Sequence, residues 1–273
     1  VHAELPPFIP ELLAFDLDGT LIAERGEGLT DGTRTVLARL RAQGVQVAVV
    51  TGRDRARRHL MDANDAAAVA TGNGAHLQFA DGTTLHELLA EEDVDRLLRH
   101  GLQGAQVVLF GTEGYAVDTS CADVPQAWMT QFNCSPIQAV HRRTALKVWY
   151  RHADAAGWAA HLRATCPHLT VTGGLPPYPM DVDVTCGQAN KGTRIVARLG
   201  VSPERVVAFG DSDNDLPLLR AAAFGVQVGT HAPLMGLAHA QLPGQEDLER
   251  YLRTLCAWLE ATATPVLAPT QMA

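Results

Sequence analysis

Apolar residues fall in short runs along this chain, separated by stretches of helical periodicity. The first run, LLAFDLDGTLI from Leu12 to Ile22, reads as a buried strand that ends in two aspartates, Asp16 and Asp18. Strand side chains alternate, so positions i and i+2 share a face. Two like charges therefore point into one small space. The next stretch, TDGTRTVLARLRAQG, reads as a helix. Thr30 or Asp31 can cap it, Val36, Leu37 and Leu40 form its apolar stripe, and Gly44 ends it. VQVAVV, from Val45 to Val50, is a second strand that closes on TGR. A helix near Arg53–Asp62 and the segment AVATGNGAHLQF continue the alternation. Strands separated by helices imply a parallel sheet with right-handed crossovers.

The pattern changes in the middle of the chain. AQVVLF, GYAV and ALKVWY are strand-like, FGTEGY signals a hairpin, and helices are expected near Glu91–Arg99 and Asp154–Thr165. This reads as an inserted α+β domain with its own small sheet, expected over residues 82–187. The first style then returns. NKGTRIVARLG reads as a helix, ERVVAFGDSDND as a strand running into an acidic loop, and AAFGVQVG as a further strand. The helix Asp247–Glu260 places Leu248, Tyr251, Leu252, Leu255 and Leu259 on one face, and TATPVLAPTQMA reads as a flexible tail. The expected fold class is α/β. A doubly wound parallel sheet spans residues 1–81 and 188–273, and a second, smaller α+β domain is inserted between them.

Composition narrows the function classes. The 273 residues are 47% hydrophobic, enough for a full core, and carry a formal net charge of -8. That balance argues against a general nucleic-acid or anionic-membrane binder. No apolar run approaches the roughly 20 residues of a membrane helix. VHAELPPFIPELLAF shows neither a basic head nor a cleavage signal. The five cysteines, Cys121, Cys134, Cys166, Cys186 and Cys256, form no CxxC, so a reduced cytoplasmic chain is expected. Of the 22 basic residues only Lys147 and Lys191 are lysines. A chain that otherwise uses arginine invites the question of what a lysine supplies.

Four segments stand at predicted strand ends or helix starts, where open α/β sheets place ligands. They are DLDGT (Asp16–Thr20), TGR (Thr51–Arg53), NKG (Asn190–Gly192) and GDSDND (Gly210–Asp215). Asp16, Asp18, Asp211 and Asp215 would converge, with Asp213 nearby. So many carboxylates in one cleft call for a cation, and hard oxygen donors point to Mg²⁺. Lys191 adds a compact charge that can touch a carboxylate and a phosphoryl oxygen at once. Gly19 and Gly52 allow close backbone approach, and the Thr51 hydroxyl can bond a phosphoryl oxygen. Asn214 joins Thr51, Gly52 and Lys191 as an expected phosphate contact. These residue types suit phosphoryl transfer, with one carboxylate as nucleophile and a second to protonate the leaving alkoxide.

The four segments, in this order, resemble the haloacid dehalogenase (HAD) superfamily of phosphatases. The insertion between TGR and NKG, with GNGA (Gly72–Ala75) and FGDSDND, resembles its Cof-type group. The resemblance implies Asp16 as nucleophile, Asp18 as general acid and base, and Thr51 with Lys191 on the phosphoryl group. It also implies Mg²⁺ held by Asp16, the Asp18 main-chain carbonyl and Asp211, with Asp215 close or water-linked. The inserted domain would be a cap over a small phosphorylated substrate, sugar phosphates by default. Neither nucleic acid nor membrane is an expected partner, and the chain is expected to be a monomer or weak homo-oligomer. Gly229-Thr230-His231-Ala232, where many relatives have Gly-Asn-Ala, and AHAQLPGQED depart from the family pattern.

Plainer readings stand beside these. Thr51 and Asn190 can serve as helix caps, Asp213 as a solvated loop acid, and Arg53 as an exposed helix-start residue. Asn73 suits a tight turn as well as a site. Lys147 fits a surface strand as well as a leaving-group contact, and Trp128, Trp149 and Tyr178 can line a substrate pocket, with cap–core packing as their plainer reading. No GxxxxGK[ST], complete GxGxxG or histidine metal spacing occurs. A phosphomutase on the same core and a non-catalytic phospho-acceptor are the rival functions.

Overall fold

The computed structural model describes residues 3–23, 26, 28–54, 66–118, 135–176 and 178–263. The first sheet contains β1 (Leu12–Phe15), β2 (Gln46–Val50), β3 (Ala68–Thr71), β4 (His76–Phe79) and β5 (Thr84–His86). The inserted region supplies β6 (Gln106–Gly111), β7 (Gly114–Val117), β8 (Ser135–Pro136), β9 (Ala145–Arg151), β10 (Leu169–Gly173) and β11 (Asp181–Cys186). The chain then returns through β12 (Val206–Gly210), β13 (Phe224–Val228) and β14 (Ala240–Leu242). Strand order is β14-β13-β12-β1-β2-β3-β4-β5 in one sheet and β10-β11-β9-β6-β7-β8 in the other.

The first sheet is parallel from β14 to β3 and antiparallel at β4 and β5. Its two faces are covered by separate apolar clusters. Leu13 and Phe15 pack with Val36, Leu37, Leu40 and the C-terminal helix Leu248–Ala263 on one face. Leu12 and Ala14 pack with Ile195, Leu218 and Leu219 on the other. The alternation of β1 is thus buried on both sides, as a doubly wound sheet requires. Phe15 stacks on Phe209 across the β1–β12 pair at 4.4 Å between ring centroids. The second sheet is antiparallel except for β8 beside β7, and has its own core around Val107, Leu109, Val148, Tyr150, Val182 and Val184.

The differences from the sequence reading are local. β5 pairs with β4, so on strand pairing the first sheet runs to His86, past the expected boundary at residue 82. Leu89 already belongs to the second core. The helix read from NKGTRIVARLG covers only Thr193–Arg198, which leaves Asn190–Gly192 as a turn. The last helix begins at Leu248, after a single 3-10 turn. AHAQLPGQED contains the short edge strand β14. Beyond Asp54, the helix expected near Arg53–Asp62 lies outside the described residues, as do Trp128, Cys121 and Cys134 and the tail beyond Ala263.

Candidate active site

Strand register brings the four segments to one edge. Phe15 lies opposite both Phe209 of β12 and Val49 of β2. The residues that follow, Asp16, Thr51 and Asp211, therefore emerge side by side at the carboxyl end. The Asp16 N–H donates to Phe209 O and the Thr51 N–H to Ala70 O, both at 2.9 Å. Lys191 arrives where the chain returns from the inserted domain.

Asp16 is buried, and its carboxylate accepts from the Lys191 ammonium in a short contact. The same ammonium donates to Asp215 Oδ1 at 2.8 Å. The second oxygen of Asp215 accepts from the Asp211 and Ser212 N–H groups at 3.0 and 3.1 Å. Both Asp215 oxygens are thus occupied within the protein, and Asp215 shapes the acidic turn as much as it offers a ligand. Carboxylate oxygens of Asp16, Asp211 and Asp215 lie within 4.8 Å of one another. Thr20, fully buried, donates to Asp211 Oδ1 at 2.9 Å. Gly19 has φ 78°, and a Cβ there would stand 2.7 Å from Asp211 Oδ2, so only glycine fits without moving the acid.

This crowding sets the electrostatics. Burial, then Asp215 and Asp211, hold the Asp16 carboxyl well above the usual range, against the pull of Lys191. Burial and Asp215 push Asp211 up to about 7. Burial alone would lower Lys191, but Asp16 and Asp215 outweigh it and raise its proton affinity. Two carboxyl groups that resist ionisation side by side, with oxygen donors only, form a site suited to a hard divalent cation.

A cavity of about 330 Å³ opens from these acids toward the second sheet. Thr51, Gly52, Asp18, Asp211 and Asn214 line its floor; Lys147, Trp149, Tyr178, Asp181 and Asp183 line the inserted domain's side. All the expected site residues border this cavity except Lys191 and Asp215, which lie buried beneath Asp16. Thr51 Oγ1 accepts from the Arg53 N–H at 3.1 Å, the contact expected of a cap. Asn190 Oδ1 likewise accepts from the Gly192 N–H.

Arg53 and Lys147 behave differently from their plainer readings. Arg53 is not an exposed helix-start residue: it grips both oxygens of Asp18, with Nε at 2.7 Å from Oδ2. A guanidinium fork matches a carboxylate in this way, which an isolated TGR does not reveal. Lys147 is buried rather than on the surface, 3.0 Å from Asp183 and 4.6 Å from the Phe110 ring centroid. Trp149 and Tyr178 border the cavity. No motif in the sequence singles out Asp181 or Asp183. Their signal was the alternation DVDVTC, which sends Val182 and Val184 into the core and both acids to the opposite face. The stretch Gly229–Ala232 lines a shallow hollow on the far side of Asp211.

A sequence profile of the haloacid dehalogenase-like hydrolases matches residues 13–238. An HMP-PP phosphatase of Enterobacter sp. (strain 638) is 26% identical over 272 residues, covering 93% of this chain and 97% of that protein. The HMP-PP phosphatase of Cronobacter sakazakii is 27% identical over 264 residues, 90% of this chain and 95% of that one. A HAD subclass IIB sugar phosphatase superposes with a TM-score of 0.74 at 20% identity, over 89% of this chain and 98% of that one. A HAD phosphatase from Bacteroides thetaiotaomicron gives 0.72 at 21% identity, over 90% and 95%. With the motifs, the two-sheet fold and the profile in agreement, the chain belongs to the haloacid dehalogenase-like hydrolase family.

Proposed function

We propose that the chain is a Mg²⁺-dependent phosphatase of small phosphomonoesters that works through an aspartyl phosphate on Asp16. The observation that carries this reading is the setting of the Asp16 carboxylate, buried at the end of β1 between the Lys191 ammonium and the Asp211 carboxylate. The oxygen-only donor set fits Mg²⁺, with Asp16, the Asp18 main-chain carbonyl and Asp211 as ligands and Asp215 orienting the turn. Bound there, the ion would offset charge on the phosphoryl group.

The residues supply the remaining steps. Thr51, Gly52 and Asn214 hold the phosphoryl oxygens from the cavity floor, and Lys191, buried beneath Asp16 in this structure, must extend its ammonium past that carboxylate to join them. An Asp16 oxygen attacks phosphorus as the bond to the leaving oxygen breaks. Asp18 gives its proton to that oxygen, then takes one from water. The water oxygen attacks the same phosphorus, the Asp16–phosphorus bond breaks, and inorganic phosphate leaves. Asp18 pairs with Arg53 in this structure, so its work requires the carboxylate to turn from the guanidinium toward the leaving oxygen. Residues of the inserted domain close the cavity over the ester and would select it.

A phosphate-release screen with Mg²⁺ tests this reading. HMP-PP and sugar phosphates, taken from the relatives' names, are the first compounds to include. Asp16→Asn and Asp18→Asn should fold and lose turnover by at least about 100-fold, the low end for a positioned acid or base. Full activity in either removes that residue from its role. Return of the phosphoryl group to a second position of a sugar would instead mark a phosphomutase.

A further inference from the structure

Asn73 is the single non-glycine among the described residues with a left-handed backbone, φ 54°. Side chains other than Asn and Asp adopt it reluctantly. Its side chain is 2% exposed and makes contacts to three separate segments. Nδ2 donates to Asp183 Oδ2 at 3.1 Å and to Thr172 Oγ1 at 3.3 Å, both on the inserted domain. Oδ1 accepts from Asn214 Nδ2 at 3.5 Å, on the acidic loop. Only this orientation of the amide offers a donor to the Asp183 carboxylate. Its main-chain N–H donates to Thr51 O at 3.0 Å.

Asp183 is the second hub. Besides Asn73 it holds the Lys147 ammonium at 3.0 Å, and that ammonium donates to Gly52 O at 3.1 Å. The contacts close a ring: from the Thr51–Gly52 turn to Asn73, across to Asp183, along to Lys147, and back to Gly52. Two of its links cross between the domains.

The ring clamps both peptide planes of the turn. A peptide is planar, so holding Thr51 O on the Asn73 side aims the Gly52 N–H the opposite way. Holding Gly52 O with Lys147 likewise fixes the Arg53 N–H, which bonds Thr51 Oγ1. The fit is close, since a Cβ on Gly52 would stand 3.0 Å from Asn73 Oδ1.

We propose that Asn73 and Asp183 are positioning residues that couple the seating of the inserted domain to the conformation of the Thr51–Gly52 turn. On the phosphatase reading above, on which this inference rests, that turn holds the transferred phosphoryl group. The turn is then in its working shape only while the two domains are together. Neither residue touches the reacting atoms.

A donor–acceptor swap tests the coupling. Asn73→Asp keeps the left-handed backbone but sets a carboxylate against Asp183. With p-nitrophenyl phosphate as probe, kcat should fall about 10- to 100-fold, as for a displaced reacting group. KM should rise, and the melting temperature should fall because a buried carboxylate is set against Asp183, so kcat is compared at a temperature where every variant is folded. Adding Asp183→Asn restores one donor to one acceptor, and the double variant should regain about tenfold in kcat over Asn73→Asp. A role in stability alone would move the melting temperature in both steps and leave kcat of the folded variants unchanged. Hydrogen exchange across residues 51–53 should rise in Asn73→Asp and fall again in the double variant, whether or not the substrate suits the enzyme. Wild-type kcat in Asn73→Asp, a double variant no better than the single, or unchanged exchange at residues 51–53 overturns the proposal. No phosphate release by the wild type, with exchange changing as stated, would leave the coupling standing and remove the phosphatase reading instead.

Discussion

Lys191 is among the largest fully buried side chains of the described residues, and it is the charge that lets Asp16 and Asp215 be buried with it. Breaking a buried ion pair from one side leaves an uncompensated charge in a dry place. Lys191→Met keeps much of the volume and removes the ammonium. It should destabilise the protein by about 3–5 kcal/mol, read as a lower midpoint in urea unfolding. Lys191→Arg should not restore the wild type, because a planar fork cannot replace a point charge held between two acids. Scarcity made this lysine legible, one of two in a chain of arginines. Arg53 was not legible in the same way. A helix-start arginine normally points to water, and its grip on Asp18 depends on the spacing between β1 and β2, which a sequence does not print.

Motif-bearing strand ends were readable because each apolar run stops abruptly on a polar, glycine-bearing turn. β1, β2, β12 and β13 fall where those runs predict them. Less legible were the elements whose pattern is short or mixed: β5 with three residues, β14 with three, and the cap strand β11, whose alternation carries no motif. The β4–β5 pair also carries a pH response. His76 lies opposite His86 and stacks on it with ring centroids 4.9 Å apart. Burial, and then His86, lower the His76 proton affinity below the ordinary imidazole value of 6.5. A depressed folded-state value means the folded protein binds fewer protons than the unfolded chain just below pH 6.5. The stability this group contributes is therefore present above that pH and is lost as pH falls through the folded value. Thermal unfolding at pH 7.5 and 5.5 checks the sign. His76→Gln should lose less melting temperature on acidification than the wild type, and an equal or larger loss would assign the acid response to other groups.

At the scale of the molecule, two sheets with separate cores meet over one acidic edge. The insertion and its α+β character were visible because the hydrophobic style changes twice along the chain. What lay beyond the sequence was the meeting itself: which faces of β9, β10 and β11 look down on the floor. The acidic edge has a further consequence for the whole fold. Asp16 and Asp211 resist ionisation because burial and neighbouring acids crowd them, so the metal-free protein carries a repulsion that Lys191 only partly offsets. A cation bound by the folded state and not by the unfolded chain stabilises by mass action, about 2.7 kcal/mol at 100 times its dissociation constant. Excess Mg²⁺ should therefore raise the melting temperature over that in chelator. Asp211→Asn removes one of the crowded charges and one proposed ligand together, and its amide oxygen can still accept from Thr20. This variant should melt higher than the wild type in chelator and gain little from Mg²⁺, the reverse of an ordinary destabilising substitution. Calorimetry of both proteins, with and without the ion, separates the cases. A wild type indifferent to Mg²⁺, or an Asp211→Asn protein that still responds to it, would move the cation away from this edge.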